Sequence, residues 1–312
     1  MRPFTRRTLF YRTAALAGMP ALSRASSPAS PGDALELRKL GGTGRELPCL
    51  GLGCFPLGNL ADEEEAIAIV RRAHESGARY FDTAPSYASG ESERLLDKAL
   101  RGLAREELFV ATKTLARDGD GALADLEGSL ERLGLDYVDS VQIHAVASSQ
   151  DLDRALAPDG AVKALESARE KKKLRHVGVT GHFAPAFLLE AIERHPFATA
   201  LVPVNPLDTL HESFVRGFLP RARAKGVAVI AMKIYAGGHL ASKAGVSAGD
   251  LVRFALAQEG VAVAVPGADS LAHWDEALGA ALRPAPDAAE QEQLIRACGP
   301  HAGRSSEWYK TP

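Results

Sequence analysis

The chain has 312 residues, 46% of them hydrophobic, and a net charge of −2. That is enough apolar material for a large core, and the near-neutral balance gives no electrostatic footprint for a nucleic-acid partner. Its three cysteines, Cys49, Cys54 and Cys298, are odd in number, scattered and without a CxxC pair. This argues against a disulfide framework and against a zinc or iron–sulfur site held by cysteines.

Residues 1–33 differ from the rest. Arg2, Arg6 and Arg7 form a basic start, Thr13 to Leu22 is a short apolar stretch, and small residues follow at Ser23, Ala25 and Ser26. This is the layout of a signal peptide with a linker, and it is too short to span a bilayer. Thr5-Arg6-Arg7-Thr8-Leu9-Phe10 resembles the twin-arginine motif, a receptor-read address used for folded cargo. The expectation is a periplasmic or secreted protein, residues 34–312, with no membrane span in its mature form. A disordered basic tail is the competing reading.

Leu35–Leu40 and Leu47–Leu50 flank Gly41-Gly42-Thr43-Gly44 and predict a β-hairpin. From Leu50 onward, apolar strands alternate with amphipathic helices. Strands are expected at 50–53, 79–82, 107–112, 137–143, 174–179, 199–204, 227–231 and 261–265. Helices are expected at 62–76, 91–102, 120–133, 160–172, 184–194, 212–225, 248–258 and 270–282, with a last one at 286–298. Asp62-Glu63-Glu64-Glu65 suits a helix start, where carboxylates meet the positive end of the dipole. Eight strand–helix units predict an α/β fold, a (β/α)8 TIM barrel with an N-terminal hairpin and a C-terminal helix and tail. Right-handed crossovers make the strands parallel, so their C-terminal ends share one mouth. A doubly wound sheet is the alternative. Against it, Gly51 to Gly58 does not match the dinucleotide fingerprint GxGxxG.

Polar reactive residues end three successive strands. Asp82 ends Ala78–Asp82, with Tyr87 in the loop beyond; Lys113 ends Leu108–Lys113; His144 ends Tyr137–His144. A phenol is a poor acid near neutrality unless a cation favours its phenolate, and Lys113 can be that cation. Asp82 can keep the lysine protonated, and His144 can donate to a substrate oxygen. One mouth holding these groups suits proton transfer to a carbonyl oxygen that gains charge as hydride arrives. Taken singly, each residue has a structural reading; the combination is what points to chemistry.

These residues also carry a resemblance. Phe81-Asp82-Thr83-Ala84-Pro85-Ser86-Tyr87, followed by Gly90-Glu91-Ser92-Glu93, resembles the signature of the aldo-keto reductases. The order Asp, Tyr, Lys, His is similar to that family's catalytic tetrad, and the likeness covers residues 35 to 283. The resemblance implies an NADP or NAD cofactor bound without a Rossmann domain and a small-molecule carbonyl substrate reduced reversibly to an alcohol. It makes Tyr87 the general acid, Asp82 and Lys113 its tuning pair, and His144 the group that positions the carbonyl. Cofactor contacts carry over to Gly53, Cys54, Asp82, Thr180, Gly181, Met232, Lys233, Gly267, Ala268, Asp269 and His273.

The match is looser at the cofactor. Thr180-Gly181 stands where the family has Ser-Asn, with His182 as a substitute or a pocket wall. Met232-Lys233 stands where many members have a stacking aromatic, and Lys233 either pairs with a phosphate or points to solvent. Gly267 and His273 replace two cations that hold a 2′-phosphate, and Asp269 would repel one, so NADP and NAD both stay open. This places the chain nearer a divergent branch, without the carboxy-terminal iron–sulfur segment of some of its members. Cys54, Phe55, Ala145, Val146 and Tyr235 are expected to line a mixed apolar pocket. Trp308 and Tyr309 either wall the mouth or belong to a disordered tail. Two other functions compete: a nucleotide-binding barrel with weak or regulatory activity, and a metal-dependent hydrolase using Asp82, His144 and His182. A resident metal is not expected.

Overall fold

Ten strands order the protein in a computed structural model that describes residues 34–310. The signal segment expected over residues 1–33 lies outside the described residues. Strands β1 (Leu37–Lys39) and β2 (Glu46–Pro48) form the hairpin. The eight that follow are β3 (Leu52–Gly53), β4 (Tyr80–Asp82), β5 (Phe109–Thr114), β6 (Val138–Ile143), β7 (Leu174–Thr180), β8 (Thr199–Pro203), β9 (Ala228–Met232) and β10 (Val261–Ala264). They pair in parallel and in sequence order from β3 to β10. The edges meet. The Gly51 N–H donates to Ala264 O at 2.9 Å, the Ala264 N–H to Cys49 O at 2.8 Å, and the Gly53 N–H to Pro266 O at 2.9 Å. The sheet is thus a (β/α)8 barrel.

Helices α1 (Glu63–Glu75), α2 (Glu91–Leu100), α3 (Gly119–Leu133), α4 (Ser149–Ala155), α5 (Ala161–Glu170), α6 (Pro185–Arg194), α7 (Leu219–Ala224), α8 (His239–Lys243), α9 (Ala248–Ala257), α10 (Leu271–Ala281) and α11 (Ala288–Cys298) fill the connections. Side-chain caps set several of their starts. Asp62 accepts the Glu64 and Glu65 N–H groups at α1, and Asp287 with Glu290 makes a reciprocal capping box at α11. No helix among the described residues is long and apolar enough to cross a membrane.

The hairpin closes the end of the barrel opposite the mouth. Leu40 and Leu47 are buried with Tyr80, Phe109, Leu201, Ile230 and Val263 inside the barrel. Each such side chain contributes about 1.5–3 kcal/mol of burial. Gly41 makes the close approach. Its φ is +50°, and a Cβ there would lie 2.5 Å from Gly226 O. A second, larger apolar layer joins the outer strand faces to the helices.

Three expectations need correction. The strand expected at 107–112 runs instead from Phe109 to Thr114, because Thr114 still pairs with Ile143. Lys113 therefore lies inside the strand. The helix expected over 212–225 is broken into a wide π turn, Phe214–Phe218, and α7. Pro220 has no N–H to give the preceding turn, so regular α pairing fails there. Helices α4 and α8 were not expected; both are short, and only Leu152 and Ala155 of α4 and Leu240 of α8 are buried, which leaves a thin apolar pattern.

Candidate active site

The reactive groups meet at the C-terminal rim. Strand β5 registers Lys113 beside Gln142 of β6, and β4 registers Asp82 beside Ala111. Lys113 is 1% exposed. Its Nζ donates to Asp82 Oδ2 at 2.7 Å and to Thr83 O at 2.7 Å. It also lies 4.7 Å from the centroid of the Tyr87 ring. His144 faces Tyr87 edge-on with centroids 6.3 Å apart, and His182 stands 6.3 Å beyond it.

Local backbone geometry aims Tyr87. The Tyr87 N–H donates to Ala84 O at 3.0 Å, and the next two residues, Ala88 and Ser89, take left-handed φ values of 49° and 55°. Such conformations cost of order 1–3 kcal/mol each and persist only where the surroundings enforce them. The residues after the turn supply that enforcement. Ser92 donates to Cys54 O at 2.9 Å and is bonded to Thr83 Oγ1 at 2.9 Å. Glu93, fully buried, accepts from Thr112 Oγ1 at 2.6 Å and from Arg132 Nε at 2.6 Å. The Ser-Glu pair of the signature thus ties the Tyr87 loop and β5 together.

The loop after β6 is fixed from both sides. Arg117 donates to both carboxylate oxygens of Asp151 and to His144 O at 2.7 Å. The Ala145 N–H donates to Thr180 Oγ1 at 2.8 Å, and Ala145 has a φ of +57°.

Burial sets the protonation states. It pulls Lys113 down, but the Asp82 carboxylate and the Tyr87 phenol outweigh it, so the lysine pKa is raised and the ammonium persists. Burial pushes the Tyr87 phenol up, more than Lys113 pulls it down. The cation therefore does not bring the phenol's pKa toward neutrality here; Tyr87 is held as a protonated donor. Burial, then the Lys113 charge, drives His144 down to about 2. Burial, then Lys233, takes His182 to about 3. Both imidazoles are neutral at ordinary pH.

A cavity of about 1110 Å3 opens over this cluster. Small-molecule sites typically run to roughly 300–1,000 Å3, so a dinucleotide and a small substrate have room together. Asp82, Tyr87 and His144 line it, with Gly53, Met232, Lys233, Gly267, Asp269 and His273. Four candidate cofactor residues do not line it. Cys54 and Thr180 are fully buried, Ala268 is 2% exposed, and Gly181 packs against Leu188. Thr180 spends its hydroxyl on the Ala145 N–H. Phe55, Ala145, Val146 and Tyr235 line the cavity as expected, and Trp308 and Tyr309 of the tail close one side. Phe183, Ser86 and Glu276 also line it and were missed, since nothing in their local pattern separates them from ordinary loop residues. One buried atom asks for an external partner. Asp82 Oδ1 has no hydrogen bond within the protein, and a hydroxyl donor such as a cofactor ribose would satisfy it.

Residues 49–248 match the profile of the aldo/keto reductase family. The chain belongs to that family, whose members are NAD(P)-dependent oxidoreductases. The chain is 34% identical over 218 residues to L-galactose dehydrogenase of Arabidopsis thaliana, covering 66% of this chain and 67% of that protein. It is 29% identical over 231 residues to D-threo-aldose 1-dehydrogenase of a Pseudomonas species, covering 64% and 69%. A Klebsiella pneumoniae aldo-keto reductase in complex with NADPH superposes with a TM-score of 0.70 at 23% identity, covering 89% of this chain and 96% of the other. This aldo/keto reductase barrel sets aside the hydrolase alternative. Among the described residues, Asp82, His144 and His182 do not form a metal-holding group.

Proposed function

We propose that this aldo/keto reductase reduces an aldehyde or ketone with NAD(P)H, reversibly, with Tyr87 as general acid. The observation that carries the reading is the buried Lys113 ammonium, bonded to Asp82 and set against the Tyr87 ring at the floor of one cavity. A bound nicotinamide would supply hydride to the carbonyl carbon. The chain supplies the proton and the orientation. Tyr87 carries its proton through the neutral range. As the carbonyl oxygen gains charge, the phenol donates, and Lys113 stabilises the phenolate left behind. Neutral His144 has one N–H to give, which holds the oxygen in line with the phenol. In the alcohol-oxidising direction the roles invert, and the phenolate accepts the proton.

Gly53, Asp82, Met232, Gly267, Asp269 and His273 are the residues offered for cofactor contact. Support for a nicotinamide cofactor comes from family membership and from the NADPH held by the Klebsiella relative. Asp269 pairs with His273 at the cavity edge, and among the described residues lining the cavity there is no arginine and no lysine but Lys233. A carboxylate at that edge favours NAD over a cofactor with an added phosphate. Titration of NADH and NADPH by nicotinamide fluorescence, followed by an aldehyde and ketone screen, tests the reading. Saturable binding of at least one nucleotide, with its oxidation by a carbonyl compound, is expected. Binding of neither would remove it, and binding without any turnover would favour the regulatory reading. We also infer export through a twin-arginine route, on the strength of Arg6-Arg7 and the apolar stretch that follows. A reporter active only when exported folded, fused behind residues 1–33, should score, and should fail when both arginines are lysine.

A further inference from the structure

Lys233 is the cation this chemistry leaves over. Strand β9 ends at Met232, and Lys233 follows with a left-handed φ of 53°, held by the Asn205 side-chain amide, which donates to its carbonyl at 2.9 Å. A non-glycine residue in that conformation is maintained at a cost. Here it places the side chain on the cavity wall. The ammonium lies 4.8 Å from the Trp308 ring centroid and 5.8 Å from that of Phe55. Among the described residues, none accepts a hydrogen bond from its Nζ or forms an ion pair with it.

The rings attract the charge but leave three N–H donors without acceptors. The other cavity cation, Lys113, is already bonded to Asp82 and Thr83. The nearby carboxylates are committed as well. Asp82 holds Lys113, Asp269 pairs with His273, and Glu276 accepts the Gly249 N–H at 3.1 Å. With both imidazoles neutral, Lys113 and Asp82 cancel, and Lys233 puts an unpaired positive charge on this wall of the cavity, against the downward pull of burial and of Lys113 on its pKa. A positive charge on a partly buried, aromatic wall draws an anionic group to that wall.

We propose that Lys233 is a substrate-binding residue that selects carbonyl compounds bearing an oxyanion, a carboxylate or a phosphate, over neutral sugars and neutral aldehydes. This rests on the carbonyl-reduction reading above and names the substrate class for it. The oxyanion takes the unmet donors of Lys233, Phe55 and Trp308 flank the carbon skeleton, and the carbonyl end reaches Tyr87 and His144.

The test compares 4-carboxybenzaldehyde with methyl 4-formylbenzoate, which differ in the anionic group alone. Wild type, Lys233→Met and Lys233→Arg are assayed with the preferred nucleotide, and nucleotide affinity is measured in each. The wild type should prefer the acid by about tenfold or more in kcat/KM, Lys233→Met should lose about that factor from the acid-to-ester ratio, and Lys233→Arg should retain most of it. An unchanged ratio in Lys233→Met overturns the proposal, and so does weakened nucleotide binding with the ratio intact, which would assign Lys233 to the cofactor. A calorimetric titration of benzoate into the nucleotide-bound protein keeps the two readings apart. If neither aldehyde turns over, the carbonyl reading fails for these compounds, yet benzoate binding about tenfold weaker in Lys233→Met still supports the anion site. Equal benzoate binding, or none to the wild type, overturns it.

Discussion

At the residue scale, the chemistry depends on which groups hold protons. Tyr87 is raised by burial against the opposing pull of Lys113, and His144 sits at about 2. Neither therefore titrates between pH 5 and 8. The reduction rate under saturating substrate and nucleotide should stay flat across that interval, without an imidazole step near pH 6.5. A clear inflection there would show that His144 is not held neutral. Asp82, Lys113 and His144 were legible in the sequence because each interrupts or ends an apolar run with a polar group that a barrel core has no use for, and Tyr87 because it stands in the short loop directly after one. Thr180 and Gly181 show the limit. Strand-end position is visible in a sequence, but whether a hydroxyl faces the cavity or satisfies a neighbouring N–H is decided by the adjoining loop. Lys233 was legible as a strand-end cation; its lack of an acceptor was not.

At the element scale, β5 carries the ammonium, and the buried Glu93 holds that strand to α2 and α3 through Thr112 and Arg132. Replacing Glu93 with Ala leaves the Thr112 hydroxyl and the Arg132 guanidinium without their acceptor. Removing one partner of a buried pair typically costs about 3–5 kcal/mol. Urea unfolding of Glu93→Ala should show a loss of that order; a midpoint equal to the wild type would mean the contact does not support β5. The strand–helix alternation was readable because apolar runs and caps repeat along the chain. Boundaries failed where the local rule was overridden. Strand β5 continues through polar Thr112, Lys113 and Thr114, which read as a strand end, because its neighbours keep pairing with it. Pro220 divides a helix whose apolar pattern runs on. Helix α4 shows too little apolar pattern to stand out, yet it carries Asp151, which anchors Arg117 against His144 O.

At the scale of the whole molecule, the tail completes the cavity and is clasped to the barrel. Lys310 is 9% exposed; its Nζ lies 3.0 Å from Asp208 Oδ1 and 3.1 Å from Glu307 Oε1 and donates to His211 O at 2.6 Å. The Tyr309 hydroxyl accepts from Asn205 Nδ2 at 2.9 Å, the same amide that holds the Lys233 carbonyl. The clasp therefore connects the tail to the cavity wall. Lys310→Met should leave Asp208 without its counter-ion, lower the Tm by several degrees and make the tail the first site of proteolytic cutting. A wild-type Tm and cutting pattern would contradict the clasp. The sequence offered Trp308 and Tyr309 as either wall or loose tail, since docking depends on Asp208 and Asn205, about a hundred positions away.

The most direct measurement of the central claim is the turnover of Tyr87→Phe with a carbonyl substrate that the wild type reduces, alongside its nucleotide affinity. Removing one hydroxyl leaves the ring, its contacts with Phe55 and His144, and the Lys113–Asp82 pair in place. The expected result is retained nucleotide binding with kcat lowered by about 10²–10⁴-fold, the range typical of a lost general acid. Wild-type turnover by Tyr87→Phe would mean that the proton comes from elsewhere.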